Sequence, residues 1–210
     1  MIMMIMVIVG GLVTSCNNDD EFVPQSSTSE YSSDFPKSAS LRAPSRTEYR
    51  VAQKYIDNYS HYTYNHDIAP GFVSWWNCIA KAENAGTITI ADILKLCKGS
   101  NQGVHLNNIE SAYPGLKLEP FYDQGSFSAQ DLFEYYMMKY LPDSQPCAVF
   151  IKNNYNGSWK KSVVTVLNYK DGYVYYQDTR TSSLGSLSLS NFVARAKDAS
   201  DNNVVNVFHW

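Results

Sequence analysis

The sequence lacks a strong excess of charge of either sign. Its 210 residues carry 17 Lys and Arg against 20 Asp and Glu, which gives a formal net charge of −3. A protein that binds a polyphosphate normally presents a large basic surface, so this balance argues against nucleic acid as the partner. Disorder throughout the chain is also excluded, because hydrophobic residues make up 44%. That is enough apolar material for one domain of roughly 150 residues.

The chain is also poor in the patterns that build metal sites. Its four cysteines show no Cys-x-x-Cys spacing, and its four histidines are scattered. A structural zinc ion needs four such ligands, usually contributed by closely spaced pairs. The sequence therefore predicts no metal and no other cofactor. Long apolar runs are missing as well, since none approaches the roughly 20 residues that a transmembrane helix requires.

A short apolar segment stands at the N-terminus. Residues 1–13 are apolar apart from two glycines, and no acidic or basic residue precedes Cys16. The segment is too short to span a membrane but fits the apolar core of a secretory signal. Val13-Thr14-Ser15-Cys16 resembles a bacterial lipobox, in which the cysteine is lipidated and becomes the mature N-terminus. We predict a lipoprotein signal peptide over residues 1–16, lipidated at Cys16; the alternative is a buried N-terminal strand.

A polar segment follows the apolar one. Asn17-Asn18-Asp19-Asp20-Glu21 is acidic, and the residues up to Thr47 are rich in serine and include three prolines. This composition buries too little apolar area to offset the entropy of ordering the chain, so residues 17–47 are predicted to be a disordered tether. The acidic run also resembles the surface-export signal of Bacteroidetes lipoproteins. The resemblance implies a cell-envelope protein that contacts the outer membrane only through its lipid anchor.

Residues 48–210 are predicted to form one domain, with helices first and strands second. Apolar stripes of period near 3.6 predict helices at 51–62, 72–80, 90–97, 104–112 and 129–140. Two of these helices begin with a capping pair, Thr89 with Asp92 and Ser128 with Asp131. Runs rich in β-branched and aromatic residues predict strands at 147–152, 162–169, 173–178 and 204–208. This order predicts an α+β fold, with N-terminal helices packed on a C-terminal antiparallel sheet.

The strongest turn signal is Lys170-Asp171-Gly172, between two strand-like runs. A loop of two residues would set Asp178 opposite Thr165, facing away from Ser162. A loop of three residues, with Gly172 left-handed, would set Asp178 opposite Val164 and on the same face as Ser162. We predict the three-residue loop.

Cys78 differs from the other cysteines by its position in Trp75-Trp76-Asn77-Cys78-Ile79-Ala80. The sequence predicts that it lies at the start or in the first turns of a helix. Backbone amides and the positive end of the helix dipole lower the pKa of a thiol there, as thiolate nucleophiles require. The alternative is a small buried residue on an aromatic helix face.

A helix with a cysteine, further helices, and then a β-hairpin with an acidic residue is similar to the papain-like cysteine peptidases, and resembles the bacterial C39-like group most. The run from Ser162 to Asp178 carries the resemblance, with an apolar strand, a turn, Tyr-Val-Tyr and an aspartate. The resemblance implies a papain-like domain with Cys78 as nucleophile and Asp178 orienting a histidine. Ser162 occupies the position of that histidine, and Phe72 occupies that of the oxyanion glutamine.

The expected consequence is a catalytically degenerate domain. A thiol without a base stays mostly protonated, and an unstabilised oxyanion raises the barrier by roughly 3 kcal/mol. Aromatic side chains from Trp75, Trp76, Trp159 and the tyrosines would then line a cleft for a peptide or protein ligand. Two alternatives remain open. One is an active cysteine peptidase or amidase with a displaced histidine, and the other is a structural surface lipoprotein.

Other residues offer substitutes for the missing base. His105 and His209 are candidates, since catalytic triads are recognised by geometry rather than chain order, although both also fit partly buried or surface roles. Ser162 and Lys160 share a strand face, which would allow a Ser-Lys dyad; the alternative is solvated charge at the strand entrance. His61 and His66 lie in a tyrosine-rich stretch that we interpret as wet surface or cleft rim.

Overall fold

The structure is a computed structural model that describes residues 47–62, 68–97, 109, 111–113, 115–142, 144–181 and 183–210, with only the backbone for 96 and 97. The predicted signal peptide with Cys16 and the predicted tether up to residue 46 lie outside the described residues. His66, His105 and most of the helix predicted at 104–112 lie outside them too. These predictions therefore stay predictions.

The described part of the chain contains five helices and seven strands. The helices are α1 (Gln53–Asp57), α2 (Ala69–Ala82), α3 (Ile90–Cys97), α4 (Ala129–Tyr140) and α5 (Leu189–Ala199). The strands are β1 (Glu48–Arg50), β2 (Lys117–Phe121), β3 (Cys147–Tyr155), β4 (Ser158–Lys170), β5 (Tyr173–Asp178), β6 (Leu184–Ser188) and β7 (Val205–His209). No helix in this part combines the length and hydropathy needed to cross a membrane.

The strands form one antiparallel sheet in the order β2-β7-β3-β4-β5-β6, which confirms the α+β class. The 13-residue strand β4 lies at its centre. β3 pairs with β4 as far as Val166, and β1 pairs with the last three residues of β4, beginning at Asn168. The middle of β4 is buried on both faces, which suits its run of β-branched residues.

Helices cover both faces of this sheet. On one face, Gly71 of α2 approaches β4 so closely that a Cβ atom there would lie 2.1 Å from the Val163 carbonyl oxygen. On the other face, Phe192 of α5 packs on Tyr176 of β5 with ring centroids 5.5 Å apart. Successive strand residues point to opposite faces. We therefore refer to the α2 face and the α5 face of the sheet.

The helices predicted from capping pairs begin where expected. The backbone N–H of Thr89 donates to the Asp92 carboxylate at 2.9 Å, and that of Ser128 donates to the Asp131 carboxylate at 2.8 Å. Each hydroxyl also accepts from the backbone N–H of its partner. Both capping boxes are confirmed.

The helix predicted at 51–62 is mostly wrong. Only α1 forms, because the Val51 N–H donates to the Leu167 carbonyl at 3.0 Å and so continues the pairing of β1 with β4. The prediction also missed β1, β2, β6 and α5. The three strands have at most five residues each, too few to show a clear alternation.

The turn between β4 and β5 differs from the prediction. Lys170 pairs directly with Tyr173, so the loop has two residues rather than three. Both loop residues are left-handed, with φ of 51° at Asp171 and 79° at Gly172. This is the geometry of a type I′ turn, which matches the twist of the flanking strands.

The predicted pairing of Asp178 with Val164 is nevertheless confirmed. A β-bulge at Leu167, between Val166 and Asn168, supplies the extra residue that the loop does not. The prediction was therefore correct about the register and wrong about its cause.

Candidate functional site

Cys78 lies deep in α2 rather than at its start. The helix begins at Ala69, which places Cys78 in its third turn, beyond the free amides of the N-terminus. The side chain is fully buried, and its Sγ donates to the Trp75 carbonyl at 3.0 Å. Burial raises the pKa of the thiol to about 12. The feature that was expected to activate this cysteine is therefore missing.

Ser162 and Asp178, in contrast, lie on the same face of the sheet. Asp178 sits opposite Val164, two residues along β4 from Ser162. The buried carboxylate of Asp178 accepts from the Asn153 amide at 2.9 Å, the Arg180 backbone N–H at 3.0 Å and the Tyr155 hydroxyl. Three donors thus satisfy this carboxylate within the protein.

Ser162 is fully buried beside this carboxylate. Its hydroxyl has no hydrogen-bond partner in the described part of the chain, although it is among the groups that influence the pKa of Tyr155. Burial, and then the hydrogen bond to Asp178, raise the pKa of the Tyr155 hydroxyl well above its usual range. The Tyr155 hydroxyl, and not an imidazole, is therefore the group that donates to Asp178 next to residue 162.

Two arginines complete the surroundings. The Arg195 guanidinium on α5 donates to the side-chain Oδ1 of Asn153 at 3.0 Å. The Arg180 guanidinium lies 4.7 Å from the centroid of the Tyr155 ring. We call Asn153, Tyr155, Ser162, Asp178 and Arg195 the Asp178 network.

Asn153, Tyr155 and Arg195, the other members of this network, were not predicted from the sequence. Asn153 and Tyr155 are two residues apart on β3, and their partners in the register are Lys160 and Ser158 of β4. Strand alternation therefore places both on the face of Ser162. The signal was available, but only once β3 had been extended beyond residue 152, where its polar residues disguise the strand.

The sheet separates Cys78 from Ser162 and Asp178. The helix that carries Cys78 packs on the α2 face, where Gly71 meets Val163 and the Ser74 hydroxyl lies 2.9 Å from the Thr179 hydroxyl. Ser162 is next to Val163 in β4, so its side chain points to the opposite side. The structure brings together two of the three residues predicted for catalysis and keeps the cysteine apart.

A second group of buried polar side chains lies on the α2 face. The Thr179 hydroxyl accepts from the Tyr62 backbone N–H at 2.7 Å and lies beside Ser74. The hydroxyls of Tyr59 and Thr165 are buried nearby without a partner in the described part of the chain. This group contains hydroxyls but no base, so it does not supply the groups that would activate a thiol.

The remaining candidates within the described ranges do not assemble a base either. The His209 Nε2 lies 3.2 Å from the Glu119 carboxylate on the neighbouring strand β2, and His61 is an exposed residue whose ring contacts Tyr59. Phe72, in the position of the oxyanion glutamine, is fully buried and packs on Phe208. The described residues contain no group of three or more His, Cys, Asp or Glu side chains that could hold a metal ion.

The predicted aromatic cleft is wrong for two of its three tryptophans. Trp75 and Trp76 are buried, and their indole N–H groups donate to the carbonyls of Pro146 and Gly86. Only Trp159 is exposed, with 52% of its surface accessible. Comparisons of the chain with protein families, curated proteins and solved structures found no match.

Proposed function

We propose that this chain is a lipid-anchored protein of the bacterial cell envelope, with a papain-like, C39-like domain that binds an extended peptide and does not cleave it. The observation that carries the proposal is the position of Cys78, buried in α2 on the opposite side of the sheet from Ser162 and Asp178. The juxtaposition of Ser162 and Asp178 supports descent from an enzyme.

The chemistry of the cysteine supports the loss of cleavage. With a pKa of about 12, roughly one Cys78 side chain in 100,000 is a thiolate at pH 7. No imidazole takes the position at 162, and three donors already occupy the Asp178 carboxylate. Moving a substrate carbonyl to this sulfur would also require opening the helix against the sheet. Among the residues that the structure describes, an acyl-enzyme mechanism therefore lacks its nucleophile, its base and its access.

The exposed end of the β3–β4 hairpin supports a binding role. Trp159 presents its ring to solvent, and the Arg195 guanidinium of the Asp178 network lies 5.3 Å from the ring centroid. Exposed aromatic side chains next to hydrogen-bonding groups are typical of peptide recognition. Because Trp75 and Trp76 belong to the core, any ligand contact with tryptophan in this region falls on Trp159.

Thiol labelling tests the loss of cleavage. We expect Cys78 in the native protein to stay unlabelled by iodoacetamide near pH 6, as measured by mass spectrometry of its tryptic peptide. Cys147 is the matched control, because it is also buried with a pKa raised to about 12. Both should react after unfolding in guanidinium at pH 8.5. Stoichiometric labelling of Cys78 alone in the native state would favour an active peptidase and contradict the proposal.

A further inference from the structure

A group of basic and aromatic side chains, which we call the hairpin patch, comes from the β3–β4 hairpin, the loop after β5 and helix α5. Its members are Lys152, Trp159, Lys161, Arg180 and Arg195. We propose that the hairpin patch binds an extended acidic peptide, in which a carboxylate side chain stands two residues from an aromatic side chain. This inference rests on the proposed function and specifies the chemical class of the ligand.

Two lysines of the patch face each other across the hairpin. Lys152 of β3 is directly opposite Lys161 of β4, an arrangement in which like charges destabilise a sheet. The Lys161 ammonium lies 3.4 Å from the Asp201 carboxylate. Among the described residues, no carboxylate forms an ion pair with Lys152. A carboxylate from a ligand would relieve the repulsion between these lysines.

The arginines are held in place by neighbouring groups. The Arg195 guanidinium lies 5.3 Å from the Trp159 ring centroid and also donates to Asn153, and the Arg180 guanidinium lies over Tyr155. Contacts of this kind fix a flexible side chain before a ligand arrives, which lowers the entropy lost on binding. Trp159 remains about half exposed and available for a second ring.

The acids around the patch do not balance its bases. Asp178 is buried and accepts from three donors. Asp198, at the end of α5, and Asp201, in the loop after it, are both exposed. Four bases against three acids give 4 − 3 = +1 in this region, whereas the whole chain carries −3. The local charge favours an acidic ligand by complementarity.

The spacing of the patch favours a peptide. Trp159 and Lys161 are two residues apart on β4, so their side chains leave the strand on the same side, about 6.8 Å apart. An extended peptide repeats its side chains over the same distance. An aromatic residue two positions from an acid would meet both contacts at once. A nucleic acid would need a much larger basic footprint than this one.

Fluorescence anisotropy with labelled peptides tests the inference on the full chain. The acidic probe is Ser-Asp-Ser-Phe-Ser-Asp-Ser, and the matched neutral probe has Asn in place of each Asp. We expect the neutral probe to bind about 10-fold more weakly, and the difference to shrink as salt is added. Trp159→Ala should lower the affinity for the acidic probe about 5-fold, and Lys152→Gln should lower it about 3-fold. Tyr173→Ala and Lys117→Gln, an exposed aromatic and an exposed lysine elsewhere, should change nothing.

The outcomes separate this inference from the proposed function. Equal affinity for the acidic and neutral probes would overturn the acidic preference and leave peptide binding intact. Equal losses in the patch and control variants would overturn the location. Tighter binding of polygalacturonate than of the acidic probe would overturn the choice of a peptide. Cleavage of either probe, detected by mass spectrometry, would overturn the proposed function itself, and so would the absence of binding to every probe.

Discussion

The two faces of the sheet treat their polar side chains differently. On the α5 face, the Asp178 carboxylate accepts from two side chains of β3 and one backbone N–H of the loop after β5, and a helix reaches the same network through Arg195. On the α2 face, the Cys78 thiol donates within its own helix, to the Trp75 carbonyl. The Asp178 carboxylate therefore accepts hydrogen bonds from other elements of the fold, whereas the hydrogen bond described for the Cys78 thiol stays within α2. A catalytic pair would need both on one face.

Removing the Asp178 carboxylate from the α5 face should cause the largest loss of stability. We expect Asp178→Ala to lower the free energy of unfolding by about 4 kcal/mol, because three buried or partly buried donors lose their acceptor. Urea unfolding followed by circular dichroism measures this change. Asp198→Ala is the control, since that exposed carboxylate should contribute no more than about 0.5 kcal/mol. A loss below about 1 kcal/mol for Asp178→Ala would show that water replaces the network.

The contact between α2 and β4 is the matching target on the other face. Gly71→Ala places a Cβ atom against the Val163 backbone, so the helix must shift. We expect a loss of about 2 kcal/mol in the same unfolding measurement. Gly86→Ala is the control, because no atom lies within 4 Å of a Cβ atom at that position. Equal effects of the two substitutions would place α2 further from the sheet than described.

The dependence of stability on alkaline pH tests whether the Cys78 and Cys147 thiols are buried. Burial raises the pKa of both Cys78 and Cys147 to about 12, above the value of about 8.5 in an unfolded chain. The stabilisation from the protonated thiols is thus complete below about pH 8.5 and is lost as the pH rises toward 12. We expect the loss to approach about 1.4 kcal/mol per pH unit for each thiol.

Unfolding in urea with a reductant at pH 8, 9 and 10 measures that slope. Cys78→Ala and Cys147→Ala should each make the slope shallower by the share of one thiol. A slope unchanged in Cys78→Ala would mean that this thiol is solvated, which would bring back the possibility of a nucleophile.

A pair of serines gives the smallest and sharpest comparison between the faces. The Ser162 hydroxyl is buried without a partner in the described part of the chain, so Ser162→Ala should stabilise the protein by about 1 kcal/mol. The buried Ser74 hydroxyl bonds to Pro70 and Thr179, so Ser74→Ala should destabilise it by about the same amount. Thermal unfolding should therefore shift in opposite directions. A destabilising Ser162→Ala would reveal a bound water or ligand at this hydroxyl.

Short sequence motifs correctly predicted the features that depend on residues close together in the chain. The capping pairs at Thr89 and Ser128 fix the starts of α3 and α4, because each cap is complete within four residues. The β5 bounds were also predicted, since a strong turn precedes that strand. The short strands β1, β2 and β6 depend instead on partners far away in the sequence, so their residues alone carry little signal.

The site was only partly predictable for the same reason. The alternation of side chains along the paired strands β4 and β5 was enough to place Asp178 on the same face as Ser162. The position of Cys78 depended on where α2 begins, and Ala69 with Pro70 moved that start nine residues upstream of the cysteine. Which face α2 covers depends on the packing of Gly71 against Val163, and no local pattern encodes a contact across about 90 residues.

The bulge at Leu167 decides on which side of the sheet the carboxylate lies. Counted from the two-residue turn without it, Asp178 would stand opposite Thr165, on the side of the cysteine helix. Deleting that one leucine would only close the bulge and leave Asp178 opposite Val164, because Val166 already pairs with Tyr176 and Asn168 with Tyr175. The side of the sheet on which the acid lies is therefore set by leaving residue 167 out of the strand pairing, and a chain one residue shorter at this point would still keep the acid and the thiol apart.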